Sequence, residues 1–171
     1  MAETGAARRI VVLGCAGAGK TTFARRLGER IGAPHLCLDD LWGRELRPDE
    51  LPAFRALMAE VHAGESWISD GNFARASFDL RLPRAELAIW LERPRLACAM
   101  RAVRRTLRAG EPHTVQKIPQ ALRFIWGFER RNRPLIEGMI AEFAPDLPML
   151  RLTSDRQADA FIAAREPRLS A

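Results

Sequence analysis

Gly14-Cys15-Ala16-Gly17-Ala18-Gly19-Lys20-Thr21 sets three glycines, a lysine and a hydroxyl in a fixed order, and its flanks say where that order sits in a fold. Before it, Arg9-Ile10-Val11-Val12-Leu13 is a β-branched apolar run that reads as a buried strand. After it, Phe23, Leu27 and Ile31 recur at four-residue spacing, with Arg25, Arg26, Glu29 and Arg30 on other faces and Gly32 as a stop. Strand, glycine loop and helix is the setting in which this pattern binds phosphate. The glycines let successive N–H groups turn toward a polyphosphate, and the helix adds the positive end of its dipole. Gly14, Ala16, Gly17, Ala18, Gly19, Lys20, Thr21 and Thr22 are the candidate phosphate contacts. Lys20 would neutralise the β- and γ-phosphates, and the Thr21 hydroxyl would ligate Mg²⁺.

The same alternation continues along the chain. His35-Leu36-Cys37-Leu38-Asp39 is a second apolar run with a carboxylate at its end. Pro48 then precedes a helical stripe of Leu51, Phe54, Leu57, Met58 and Val61. Trp67-Ile68-Ser69-Asp70 repeats the plan, and Leu87 to Leu91 leads into a helix carrying Leu96, Met100, Val103 and Leu107 on one face. Gly110 to His113 reads as a loop, and a helix from about Pro119 to Phe143 follows, with a kink expected at Pro134. Met149 to Leu152 gives a last strand and Gln157 to Ala164 a closing helix. Strands alternating with helices predict one α/β domain over residues 1–171, a parallel sheet covered on both faces, with residues 1–7 flexible. Such sheets bind ligands at the carboxyl ends of their strands, where Asp39, Asp40 and Asp70 fall.

Asp70, ahead of Gly71, suits a magnesium carboxylate, or else a helix cap. Asp39 could accept a substrate proton or fix the acceptor, and Asp40 is as well placed to cap the next segment. Of 27 basic residues only Lys20 and Lys117 are lysines, and the stretch from Glu92 to Pro134 holds eleven basic residues against three acidic ones. Arg101, Arg104, Arg105 and Arg108 fall at i, i+3, i+4 and i+7, a stripe that would repel itself unless it meets an anion or unseen acidic neighbours. Trp42 is the best aromatic pocket candidate, whereas Trp67, Trp90 and Trp126 read as packing residues. His35, His62 and His113 share no metal-ligand spacing. No stretch is long and apolar enough to span a membrane, and three scattered cysteines, Cys15, Cys37 and Cys98, make no disulfide framework. A cytoplasmic protein is expected.

Taken with Trp42, Asp70-Gly71-Asn72-Phe73, Leu82-Pro83-Arg84-Ala85, Trp90-Leu91, Phe124-Ile125-Trp126 and Arg130-Arg131-Asn132-Arg133-Pro134, these runs resemble the DNA topology modulation proteins, a branch of the adenylate kinase-like P-loop proteins, over nearly the whole chain. The resemblance implies a three-layer P-loop NTPase fold, a five-stranded sheet of order 2-3-1-4-5, ATP and Mg²⁺ as ligands, and a short helical lid near residues 105–120. It also implies that Asp70 organises the metal's water, that Arg101 and Arg105 flank the nucleotide, and that Ser154 to Arg156, with Asp155 among them, lie near the adenine. One departure stands out. Adenylate kinases carry Phe-Pro-Arg after Asp-Gly for the AMP acceptor, and this chain has Asn72-Phe73-Ala74-Arg75.

The expectation is a small kinase that transfers the γ-phosphoryl group of ATP to a small-molecule or nucleotide acceptor. Lys20, Asp39, Arg101 and Arg105 would be the catalytic groups. The rival expectation is an ATP-binding regulator associated with nucleic acid, its arginines on backbone phosphates, and a nucleotide sensor with negligible turnover is a third. A monomer is the default.

Overall fold

A computed structural model describes residues 7–42, 46–109 and 116–165. Five parallel strands form one sheet: β1 (Arg9–Gly14), β2 (His35–Cys37), β3 (Trp67–Asp70), β4 (Leu87–Leu91) and β5 (Met149–Leu152), in the order β2-β3-β1-β4-β5. β1 is central because its apolar run can be covered from both faces. Ile10 to Leu13 are fully buried, as are all residues of β3 and β4. The helices are α1 (Lys20–Ile31), α2 (Leu38–Trp42), α3 (Leu51–Val61), α4 (Ala74–Arg81), α5 (Arg95–Ala109), α6 (Ile118–Phe143) and α7 (Asp155–Ala163), with a 3₁₀ turn at Pro48–Glu50. This is the three-layer α/β fold and the strand order expected of a P-loop kinase.

Register brings the chemistry to one edge of the sheet. Val12 pairs with Asp70, and Cys37 pairs with the same residue from the other side, so the ends of β2 and β3 open beside the loop that follows β1. The main core fills the space around the sheet, and a smaller cluster of Leu38, Phe54, Met58 and Ala76 backs α2, α3 and α4.

Two expectations change. The second apolar run does not continue as strand to Asp39: β2 stops at Cys37, and Leu38 starts α2 with Asp39 and Asp40 in its first turn, where carboxylates suit the helix dipole. The stripe of Leu96, Met100, Val103 and Leu107 does not face the core. Leu96, Met100 and Leu107 are 66%, 67% and 58% exposed, and the buried side of α5 is Cys98, Ala99 and Ala102. Small residues win there because α5 must lie almost backbone to backbone against the glycine loop, and long side chains would hold it off. α6 runs as one helix through Pro134, whose side chain is exposed. The whole of the expected loop at Gly110 to His113 and the middle of the lid at 105–120 lie outside the described residues, as do 1–6. No helix among the described residues is long and apolar enough to cross a membrane.

Candidate active site

The loop between β1 and α1 is built on backbone that only glycine takes without strain. Gly17 has φ 78°, and a Cβ there would strike the backbone carbonyl of Cys98 at the start of α5. Gly19, with φ 93°, has room for a Cβ, the nearest atom being an Arg101 guanidinium nitrogen 3.8 Å away, so its constraint is conformational alone. The turn is closed by Ala18 N–H donating to Cys15 O at 3.1 Å. Gly19 caps α1 with no side-chain bond, which leaves the first-turn N–H groups to a ligand.

Lys20 Nζ donates to Cys15 O at 3.2 Å. Burial pushes its pKa down, while the Asp70 and Asp39 carboxylates pull it back up. Asp70 is buried at the end of β3. Its Oδ2 lies 3.0 Å from His35 Nε2, and its Oδ1 is buried with no hydrogen-bond partner among the described residues. A carboxylate oxygen in that condition is costly unless a cation or its water completes it. Asp70, with the exposed Thr21 hydroxyl on the adjoining turn, therefore fits Mg²⁺, which is the donor chemistry such a hard cation takes.

The turn after Asp70 is held from two sides. Asn72 Nδ2 donates to Gly14 O at 3.1 Å, tying it to the phosphate loop. Beneath it the fully buried Arg81 donates to Ser69 Oγ at 2.9 Å, Gly71 O at 2.5 Å and Asn72 O at 2.6 Å. Burial lowers the Arg81 pKa to about 9, against the pull of Asp70.

Three cavities adjoin along this edge. One of about 250 Å³, the candidate phosphate cradle, is lined by Ala16, Gly17, Gly19, Lys20, Thr21 and Thr22, with Asp39, Arg101 and Arg105 opposite. A second, of about 310 Å³, shares Gly19, Thr22 and Arg101 with it and adds Ala18, Arg93 and Asp155. There Asp155 accepts from Arg101 at 2.6 Å and from Arg93 at 3.2 Å. Burial would raise this carboxyl, but the two guanidiniums hold it below the usual range. The third, of about 570 Å³, shares Ala16, Lys20 and Asp39 with the cradle and extends to Asn72, Phe73, Arg75, Phe124, Asn132 and Ile136. Asp39 is open to solvent on one side but crowded on the other. That desolvation raises its pKa, opposed by Lys20 and Arg105 and reinforced by Asp70 and Asp40.

The structure thus brings Lys20, Thr21, Asp39, Asp70, Arg101, Arg105 and Asp155 to one edge. The arginine stripe divides: Arg101 and Arg105 line the cradle, while Arg104 and Arg108 line none of the three cavities. Arg133 is spent inside the fold, on Glu92, Glu129 and Glu137, whereas Arg93 borders the second cavity beside Asp155. Trp42 lines none of these three cavities. It packs edge-on against Phe54 of α3 at 5.3 Å, and the far wall of the third cavity comes from α6. The sequence pattern assigns no site role to His35, Arg81, Phe124, Asn132 or Leu135. His35 meets Asp70 only because β2 and β3 are neighbours, a pairing that no local pattern announces.

No protein-family profile matches the chain, and no curated protein sequence does. Solved structures do share its fold. Shikimate kinase from Acinetobacter baumannii in complex with shikimate superposes with a TM-score of 0.56 at 18% identity, covering 91% of this chain and 89% of its own. Shikimate kinase from Bacteroides thetaiotaomicron gives 0.56 at 20% identity, covering 92% and 95%. A gluconokinase from Sinorhizobium meliloti 1021 gives 0.52 at 18% identity, covering 91% of each. The fold is that of the P-loop kinases. The narrower likeness to DNA topology modulation proteins is carried by the sequence pattern alone.

Proposed function

We propose that the protein is a Mg²⁺-dependent phosphotransferase of adenylate kinase-like type, moving the γ-phosphoryl group of ATP to a small-molecule acceptor. The observation that carries this reading is the sharing of Lys20 and Asp39 between the phosphate cradle and the 570 Å³ cavity, while Gly19, Thr22 and Arg101 connect the cradle to the cavity at Asp155. A hydrolase needs one pocket and water, whereas a transferase needs two pockets that meet at the moving group.

In this reading the nucleoside lies over Thr22, Arg93 and Asp155, and its phosphates follow the loop N–H groups. The acceptor hydroxyl gives its proton to the Asp39 carboxylate as its oxygen bonds to the γ-phosphorus, and the bond from that phosphorus to the ADP oxygen breaks. Lys20, Arg101 and Arg105 meet the charge that develops on the transferred group. Mg²⁺, held by Thr21 and Asp70, would draw charge from the β- and γ-oxygens. The buried free thiols Cys15, Cys37 and Cys98 suit a reducing compartment, and we place the protein in the cytoplasm.

The test is ATP consumption with Mg²⁺ against nucleosides, nucleoside monophosphates, small hydroxylated metabolites and duplex DNA, with Lys20→Ala alongside. Stimulation by one small molecule, lost by about 10²-fold or more in a folded Lys20→Ala variant, is the expected result. Stimulation by DNA alone, or salt-sensitive DNA binding without turnover, would instead favour the nucleic-acid-associated regulator.

A further inference from the structure

The 570 Å³ cavity carries more information about its occupant than the kinase reading uses. Its wall is largely apolar, made by Phe73, Phe124, Leu135 and Ile136, and its polar groups are few: Lys20, Asp39, Asn72, Asn132 and Arg75. An open-chain polyol presents hydroxyls on every side and would strand most of them against that wall. A ring with one apolar face would not.

Charge narrows the occupant further. Lys20 is shared with the cradle and held at Cys15 O, where it serves the transferred group, so Asp39 and Arg75 are the charges left for the rest of an acceptor. These two cancel. Arg75 is exposed and makes no ion pair among the described residues, so it is available to one anionic group. A dianionic phosphate ester would meet a single guanidinium with a carboxylate in the same cavity, a poor match for two charges.

The backbone adds an independent sign. Phe73, with φ 28° and ψ 39°, is the one residue other than glycine at positive φ among the described residues. Strain of this kind persists where its surroundings over-determine it. Here Arg81 holds the carbonyls of Gly71 and Asn72 from below, and the Phe73 ring lies 5.2 Å from that of Phe54. The turn so fixed sets Asn72 in the cavity wall. With Nδ2 spent on Gly14 O, Asn72 Oδ1 is buried and has no hydrogen-bond partner among the described residues, an acceptor waiting for a ligand donor.

We infer that the phosphoryl acceptor is a hydroxylated ring compound, neutral or singly negative, which lays its apolar face on Phe124 and Phe73 and donates a second hydroxyl or N–H to Asn72. This rests on the phosphotransferase reading.

Two matched pairs test it, with dissociation constants measured by NMR titration in the presence of MgADP. Thymidine is set against thymidine monophosphate, and quinate against gluconate. In at least one pair the ring compound without a phosphate should bind tenfold or more tighter than its mate. Phe124→Ala should erase that advantage, and Arg75→Gln should weaken quinate while sparing thymidine. An advantage below tenfold in both pairs, no binding by any of the four, or an advantage that survives Phe124→Ala would overturn the inference. MgADP affinity, read in the same samples, reports separately on the nucleotide site: its absence would instead refute the phosphotransferase reading.

Discussion

Nε2 of His35 lies 3.0 Å from Oδ2 of Asp70, so the carboxylate is anchored from β2 through one oxygen while the other, Oδ1, stays buried and unpartnered among the described residues. If Oδ1 serves Mg²⁺, Asp70→Asn should raise the Mg²⁺ concentration for half-maximal activity at least about tenfold, in line with losing a carboxylate that orders the metal. A magnesium titration of turnover in the two proteins checks this. An unchanged midpoint would remove Asp70 from the metal site.

In the proposed role Asp39 must be ionised to take a proton, and its crowded position raises its pKa above the ordinary carboxylate value. The sign follows directly: activity falls as pH drops through the raised pKa, so the acid limb of kcat/KM lies above the ordinary carboxylate range. Bound ATP, adding negative charge beside it, moves the limb of kcat higher still. Asp39→Asn should lower kcat by about 10²-fold or more and abolish the limb, which a pH profile of both proteins would show.

The two inner glycines of the loop separate packing from conformation. Gly17→Ala drives a methyl group into the Cys98 carbonyl and also strains the backbone, so it should cost about 2–4 kcal/mol and release α5 from the loop. Gly19→Ala meets no such obstacle and should cost about 1–2 kcal/mol. Urea unfolding ranks them. Equal costs would mean that the close approach of α5 contributes nothing.

His62 lies buried against Trp67, its ring 4.8 Å away edge-on, and Nδ1–H donates to Met58 O at 2.8 Å. Burial lowers its pKa from 6.5 to about 4, with Arg81 and Arg84 acting in the same direction. The unfolded chain therefore binds a proton that the folded one refuses. Stability on this account is intact above pH 6.5 and falls toward pH 4, by about 3 kcal/mol in all. His62→Phe should flatten that part of the stability profile, measured by urea unfolding at pH 7, 5.5 and 4.

Local chemistry explains what was legible in the sequence. The loop from Gly14 to Thr21 is a contiguous pattern with a mechanism, and the alternation of apolar runs with helical stripes implies a parallel sheet with ligands at its carboxyl edge. What could not be read depends on partners distant along the chain. Arg81 looks like any arginine at a helix end until Ser69, Gly71 and Asn72 close over it. Leu96, Met100 and Leu107 satisfy the rule for a core stripe, yet Cys98, Ala99 and Ala102 win because Gly17 draws α5 in close. Trp42 stands near the carboxylates in sequence, but α2 turns it onto Phe54.

Phosphoryl transfer can be watched by ³¹P NMR of MgATP incubated with the protein and a mixed pool of hydroxylated small molecules. A transferase should replace the γ-phosphate signal with a phosphate monoester signal together with ADP, in an amount lost in Lys20→Ala. ATP left intact, or ADP accompanied by inorganic phosphate alone, would contradict transfer.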